Sequence, residues 1–242
     1  MQLKEIIKAL IDCFEEKFNL LIVDDYPAMG NAIVDLFGSP LYSKTLAASA
    51  AEARQKIALI NRWHSWVLDI AMEEEESGLK LLSDYNNFPY IIMLSGMRSM
   101  HMASRAMQLG AYKVYDKNPE HLRELHKDVN TLSALSWILQ GVGTKYLSQF
   151  LLLSEYDITT TDTWAMQACM TVRQLERICT IHSHLTPRFI PSLFYTLQFL
   201  LGLEDTSDQY FTAISENISE SLEQHTRFVH KHLDTILAKT AL

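Results

Sequence analysis

The sequence predicts an α/β protein: a doubly wound sheet of five parallel strands, preceded by a helix and followed by an all-helical domain. Three observations predict it. Strand-length apolar runs alternate with helical patterns from residue 19 to about 119. The first, third and fourth of these runs are nearly continuously apolar, as strands covered on both faces require. Beyond the GVG at 141–143, only helical periodicity remains.

Residues 2–18 place Leu3, Ile6, Ile7, Leu10, Ile11, Phe14 and Phe18 at helical spacing, with Lys4, Lys8, Glu15 and Glu16 mostly off that stripe. This is an amphipathic helix that must dock on something. Strands are expected at NLLIVDD (19–25), YSKTLAAS (42–49), WHSWVLDI (63–70), YIIMLS (90–95) and AYKVYD (111–116). Helices are expected at 28–38, 50–61, 78–86 and 98–109, with another starting after Pro119 and running unbroken to the GVG. Five such units imply right-handed crossovers and a parallel sheet. The expected domains are therefore 1–18, an N-terminal helix; 19–140, the α/β domain with an extended last helix; and 141–242, an all-helical domain.

Composition bounds the function. A formal net charge of −8 over 242 residues gives no global attraction to nucleic acid or to an anionic membrane. No apolar run approaches the ~20 residues of a membrane span, so no membrane association is expected. Three cysteines without a CxxC pair suit a reducing, cytoplasmic setting. The N-terminal residues mix charges throughout and do not read as a signal peptide.

The chemistry gathers at the carboxyl ends of the strands, where such sheets bind ligands. Strand 1 ends in Asp24 and Asp25, strand 3 in Asp69, strand 4 in Ser95-Gly96, and strand 5 is followed by Lys117. Two or three carboxylates with waters make an oxygen site for Mg²⁺. An aspartate can accept a phosphoryl group as an acyl phosphate. Lys117 supplies a mobile point charge for a phosphoryl oxygen, Ser95 a hydroxyl donor, and Gly96 a backbone that allows close approach.

These residues and their order resemble the receiver domain of two-component response regulators, a flavodoxin-like fold. LLIVDDYP matches the acidic pair and the proline after it, WVLDI the phosphoacceptor strand, IIMLSG the hydroxyl strand, and GAYKVYDKNP the strand that ends in the lysine; the resemblance covers roughly residues 19–128. It implies phosphorylation of Asp69 by a histidine kinase or a small phosphodonor. It also implies catalytic roles for Lys117 and Ser95, and Mg²⁺ held by Asp24, Asp25, Asp69 and the backbone carbonyl of Ala71. Phosphorylation would then draw Ser95 inward and reshape a face where receivers dimerise, so a homodimer is expected. Two departures stand out. Glu73–Glu76 replace a turn near the metal site, either as a solvated charge run or as a barrier to anionic phosphodonors. Val114 occupies the position of the family's switch aromatic, while Tyr115, one residue later, points to the other face.

In the C-terminal half, TWAMQACMTVRQLERICTIHSHLTPRFI reads as a short helix over Thr163–Ala168, a turn at Cys169-Met170, and a second helix started by a Thr171/Gln174 capping box. Val172, Leu175, Ile178 and Cys179 point inward; Arg173, Gln174, Glu176, Arg177 and Thr180 are left outside. Thr186-Pro187 is expected to open the next helix, and Pro191 to interrupt it. The stretch resembles the first helix-turn-helix of AraC-type regulators, over about 161–185, which implies DNA binding through Arg173, Gln174 and Arg177. No second such motif follows. The charge around the motif is mixed, with Arg173, Arg177 and Arg188 set against Asp157, Asp162 and Glu176. Cys179, His182 and His184 read as structural rather than metal-binding. The methionines near the fourth helix, Met93, Met97, Met100, Met102 and Met107, read as adaptable packing. Phe211, Ile214, Ile218, Leu222 and Phe228 suggest one terminal amphipathic helix; it and residues 2–18 are candidate dimer surfaces or core elements.

The expected function is a response regulator phosphorylated on Asp69 that controls transcription through this helix-turn-helix. It is not an enzyme beyond its own phosphorylation and dephosphorylation. The alternatives are a phosphorylation-controlled protein-interaction module with a degenerate helical output domain, and a constitutive dimer independent of phosphorylation.

Overall fold

The computed structural model describes residues 1–14, 16–72, 76–96, 100–140, 144–156, 158–204 and 207–240. The chain forms two compact units. One is built from Lys17–Gly38 and Tyr42–Ser136, the other from Met1–Glu16, Ser39–Leu41 and Trp137–Leu242.

The first unit is the predicted sheet. Strands β1 (Phe18–Val23), β2 (Tyr42–Ala47), β3 (Ser65–Asp69), β4 (Ile91–Ser95) and β5 (Lys113–Asp116) lie in the order β2-β1-β3-β4-β5, all parallel. Strand order reverses beside β1, so the crevice outside the carboxyl ends of β1 and β3 is the switch point of the sheet. Helices α2 (Pro27–Leu36), α3 (Ala50–Leu59), α4 (Ser77–Asp84), α5 (Met100–Gln108) and α6 (Leu122–Ile138) alternate with the strands. Local chemistry sets their starts. Pro27 takes the first turn of α2, where its missing N–H is harmless. Ser49 Oγ caps α3 by accepting the Glu52 N–H, and Asn118 caps the short 3₁₀ turn that leads into α6. Both faces of the central strands are dry. Leu21, Val23, Trp66, Leu68, Ile91 and Met93 pack into one cluster, while the alternating Leu20, Ile22, Val67 and Ile92 are also buried.

The second unit is helical. It comprises α1 (Leu3–Cys13), α7 (Leu147–Glu155), α8 (Thr161–Gln167), α9 (Val172–Ser183), α10 (Ile190–Leu201), α11 (Asp208–Asn217), α12 (Glu220–Lys231) and α13 (Leu233–Thr240). The apolar face of α1, Leu3, Ile6, Ile7 and Leu10, is buried, and α1 packs against α11 and α12. Trp164 of α8 is fully buried, edge-on to Phe150 with 5.3 Å between ring centroids, and its indole N–H donates to Gln149 O at 2.8 Å.

Several boundaries differ from expectation. α1 stops at Cys13, and Phe18, expected on its stripe, is instead the first residue of β1, paired with Tyr42. Thr186-Pro187 does not open a helix: residues 187–189 form a turn closed by Phe189 N–H to Thr186 O, and α10 begins at Ile190. Pro191 therefore sits in the first turn of α10 and interrupts nothing. The tail forms three helices, because Ser207 and Ser219 each cap a new start and the chain turns again at His232. The GVG at 141–143 lies outside the described residues.

Three residues of the sheet unit yield stability predictions. A Cβ at Gly78, in the first turn of α4, would lie 1.9 Å from the Asp69 carbonyl oxygen. The neighbour is backbone, so nothing soft can yield. Gly78→Ala should lower the urea midpoint by an amount equivalent to about 1–3 kcal/mol or more, as overpacking does. Gly96→Ala, with nothing within 4 Å of the added carbon, should change it by under about 0.5 kcal/mol. His64 is fully buried, its Nδ1 accepts the Asn19 N–H at 2.9 Å, and burial, with the charge of Arg62, depresses its pKa to about 3. The folded state therefore holds this ring neutral, and the unfolded chain binds the extra proton below about pH 6.5. Stability should fall by up to about 1.4 kcal/mol per pH unit as pH drops from 6.5 toward 5. His64→Asn, which can still accept the Asn19 N–H, should flatten that slope; an unchanged slope would exclude His64 as its source.

Candidate functional site

The crevice is assembled by β-sheet register. Val23 pairs with Leu68, Asp69 with Leu94, and Ser95 with Asp116, so β1, β3, β4 and β5 end at nearly the same level. Asp24 and Asp25 follow β1 directly; the Asp24 N–H still bonds to Ala47 O at 3.1 Å, which extends the ladder by one residue. Asp69 ends β3, Ser95 ends β4, and Lys117 follows β5, where its N–H donates to Ser95 O at 2.9 Å.

Asp24 and Asp69 are buried, while Asp25 is exposed. The Lys117 ammonium lies 2.7 Å from Asp24 Oδ2 and 2.6 Å from Asp69 Oδ2. Its hydrogen bond goes to Asp69. The approach to Asp24 is an ion pair without hydrogen-bond alignment, which leaves Asp24 Oδ2 buried with no hydrogen-bond donor. Asp24 Oδ1 accepts the Tyr26 N–H, and Asp69 Oδ1 accepts the Ala71 N–H at 3.3 Å. Burial raises the Asp69 pKa, and the Asp24 charge adds to this; Lys117 and the Ala71 N–H pull the other way without cancelling it. Burial also works against the Lys117 ammonium, but its contacts with Asp24 and Asp69 outweigh that and hold it above the usual lysine value.

One carboxylate oxygen from each of Asp24, Asp25 and Asp69 lies within 4.8 Å of the others. A cluster of hard oxygen ligands with an undonated buried oxygen fits a small divalent cation. Receiver domains bind Mg²⁺ at an acidic pocket of this kind. Among the described residues no other such cluster occurs. Cys179 is buried, and burial pushes its thiol up to about 12; the His182 ring lies tilted against Tyr146, and His184 ends α9 in the left-handed conformation.

Residues flanking the crevice carry information the sequence did not display. Glu73–Glu75 lie outside the described residues, but Glu76 pairs with Arg105 of α5 and is not a free charge. Val114 is half-buried against the apolar cluster. Tyr115 is buried, and its hydroxyl donates to Asp128 Oδ2 of α6 at 2.5 Å; Lys113 Nζ reaches the same oxygen at 2.7 Å. Asp128 passed unnoticed, although a carboxylate between Leu125, Val129 and Leu132 on one buried stripe was a legible signal.

In the helical unit, α8 and α9 are joined by a tight turn in which Cys169 takes φ 51°. Thr171 and Gln174 form the reciprocal capping box. Leu175, Ile178 and Cys179 are buried, while Arg173, Gln174, Glu176, Arg177 and Thr180 are exposed; Val172 is half-buried.

Residues 20–130 match the family model of the response regulator receiver domain. No curated protein matches the chain. Among solved structures, the receiver domain of the Francisella response regulator 1452 is 24% identical, with a TM-score of 0.44 over 50% of this chain and 99% of that one. A CheY-like receiver domain protein from Methanospirillum hungatei JF-1 is 26% identical, with a TM-score of 0.40 over 46% and 92%. A chain of the CheX–CheY–BeF₃–Mg²⁺ complex of Borrelia burgdorferi is 24% identical, with a TM-score of 0.42 over 48% and 88%. Residues 20–130, just under half of this chain, thus form a response regulator receiver domain.

Proposed function

We propose that Asp69 accepts a phosphoryl group from a histidine kinase or a small phosphodonor, and that the C-terminal helices turn this state into transcriptional control through α9. The observation that carries the first half is the convergence of Asp24, Asp69 and Lys117 within ion-pair distance at the switch point of the sheet. An Asp69 carboxylate oxygen forms the new O–P bond as the donor's P–N or P–O bond breaks, and the leaving group keeps the electron pair. Lys117 transfers its attraction from the carboxylates to a phosphoryl oxygen, and Ser95 donates its hydroxyl to another. Asp24, Asp25, Asp69 and the Ala71 carbonyl would hold Mg²⁺, which would supply positive charge to the phosphoryl oxygens. Water later hydrolyses the acyl phosphate, and no outside substrate is turned over. The sparse, unpaired cysteines support a cytoplasmic setting.

The output reading rests on the α8–turn–α9 geometry, with Arg173, Gln174 and Arg177 on the exposed face of α9 as a major-groove reader requires. Motifs of this type read paired half-sites, so a homodimer belongs to the proposal. A second reading, a protein partner in place of DNA, is favoured by charge. The helical unit carries nine Lys and Arg against fifteen Asp and Glu, a formal −6, where DNA binding ordinarily needs a basic surface. Met166 of α8 and Ile181 of α9 are also exposed.

Asp69→Asn should abolish labelling by radioactive acetyl phosphate in Mg²⁺. It should also raise the denaturation midpoint of the metal-free protein at neutral pH: a carboxyl whose folded pKa is raised costs stability above that pKa, and the amide removes the cost. Persistent labelling would discard Asp69 as the acceptor. The output is tested by selecting DNA with the full chain and measuring mobility shifts against salt; the full chain is used because α1 belongs to the helical unit. Binding that weakens as salt rises and is lost by at least about tenfold in Arg173→Ala and Arg177→Ala supports transcription. No selected sequence, with binding unaffected by either change, supports the protein-partner reading.

A further inference from the structure

Two side chains of β5 converge on one oxygen of α6. Lys113 and Tyr115 are two residues apart, so they project from the same face of the strand, and both reach Asp128 Oδ2, at 2.7 and 2.5 Å. Tyr115 and Asp128 are both buried, which protects their contact from solvent screening, while Lys113 approaches from the exposed side. The same strand leads directly into Lys117, two residues beyond Tyr115, whose ammonium bridges Asp24 and Asp69. Burial, then the Asp128 hydrogen bond, raises the Tyr115 pKa, so the phenol remains a donor throughout the working pH range. Val114, on the alternate face, is an aliphatic residue packed with the apolar cluster and has no ring to reorient.

We propose that Asp128 is a coupling residue: held by Tyr115 and Lys113, it makes α6 move with β5 when Lys117 changes partner at the phosphorylation site. This rests on the reading of Asp69 as phosphoacceptor. In this proposal Lys117 gives up part of its contact with Asp24 and Asp69 to hold a phosphoryl oxygen, and the end of β5 adjusts with it. Two donors from that strand carry the adjustment to Asp128, in the first half of α6. The rest of the helix is tied elsewhere in the sheet: the Tyr42 hydroxyl donates to Asn130 Oδ1 at 2.7 Å, and the Ser65 and Ser133 hydroxyls meet at 2.6 Å. A shift at Asp128 therefore works against anchored neighbours, and it registers as a change in the opening of the helix backbone rather than as free sliding.

The experiment compares the full-length wild type, Tyr115→Phe and Asp128→Asn, each with Mg²⁺ and beryllofluoride. Fluorine NMR reads occupancy of the site, and hydrogen exchange reads the amides of α6 through Ser136. In the wild type, bound beryllofluoride should change α6 exchange by about threefold or more, a shift in local opening. In both variants the bound fluorine signal should persist while the α6 change falls below about 1.5-fold. If Asp128→Asn does not fold, Tyr115→Phe, which removes one oxygen, carries the test. Variants that respond like the wild type, or a wild type in which beryllofluoride binds but α6 stays silent, overturn the coupling and leave the phosphoacceptor reading intact. A wild type that binds no beryllofluoride overturns both.

Discussion

Two buried carboxylates, Asp24 and Asp69, face each other across the ends of β1 and β3, and the Lys117 ammonium holds them together. Like charges at that separation in a poorly solvated crevice repel strongly, and the sheet cannot move them apart without losing register. The ammonium offsets part of the repulsion. The remainder appears as a raised Asp69 pKa and as a buried Asp24 oxygen without a donor. Such a site is poised to exchange its internal cation for a stronger one, and a stable core must be built around it to tolerate the strain.

That core explains why so much of the first unit is dry. β1, β3 and β4 are buried on both faces, and the first turn of α4 is pressed against the end of β3 so closely that only a glycine fits at position 78. Gly78 N–H also bonds Ile70 O at 3.1 Å. The backbone that presents Asp69 is thus fixed from the side by α4, and at its level by pairing with Leu94. Precision at the crevice comes from backbone packing, and the site side chains are short and need little ordering.

The periphery is assembled by a different rule. Around α6, polar groups are buried in pairs: Tyr42 with Asn130, Ser65 with Ser133, Tyr115 with Asp128. Each pair satisfies groups that would be costly alone, and each demands one placement of the helix on the sheet. In the helical unit, specificity comes mainly from shape, as with Trp164 seated against Phe150 and donating to Gln149 O, and from the apolar face of α1 against α11 and α12.

The strand and helix alternation, the acidic pair after β1, and the lysine after β5 were legible because hydrophobic period and turn residues are local properties of the chain. The capping box at Thr171 and Gln174 was legible for the same reason. The misjudged boundaries share a cause: Phe18 fits a helical stripe as well as a strand, and Pro187 and Pro191 each suit a first helical turn, so only packing selects between them. The contact of Tyr115 and Lys113 with Asp128 joins residues 13 and 15 positions apart, and no periodicity announces it. By itself the sequence determined which residues line up at the strand ends, since order along the chain and alternation within each strand suffice. Only the tertiary structure decided which charges touch, which oxygen lacks a donor, and where a Cβ cannot fit, because these depend on distances across strands and helices that local preferences do not encode.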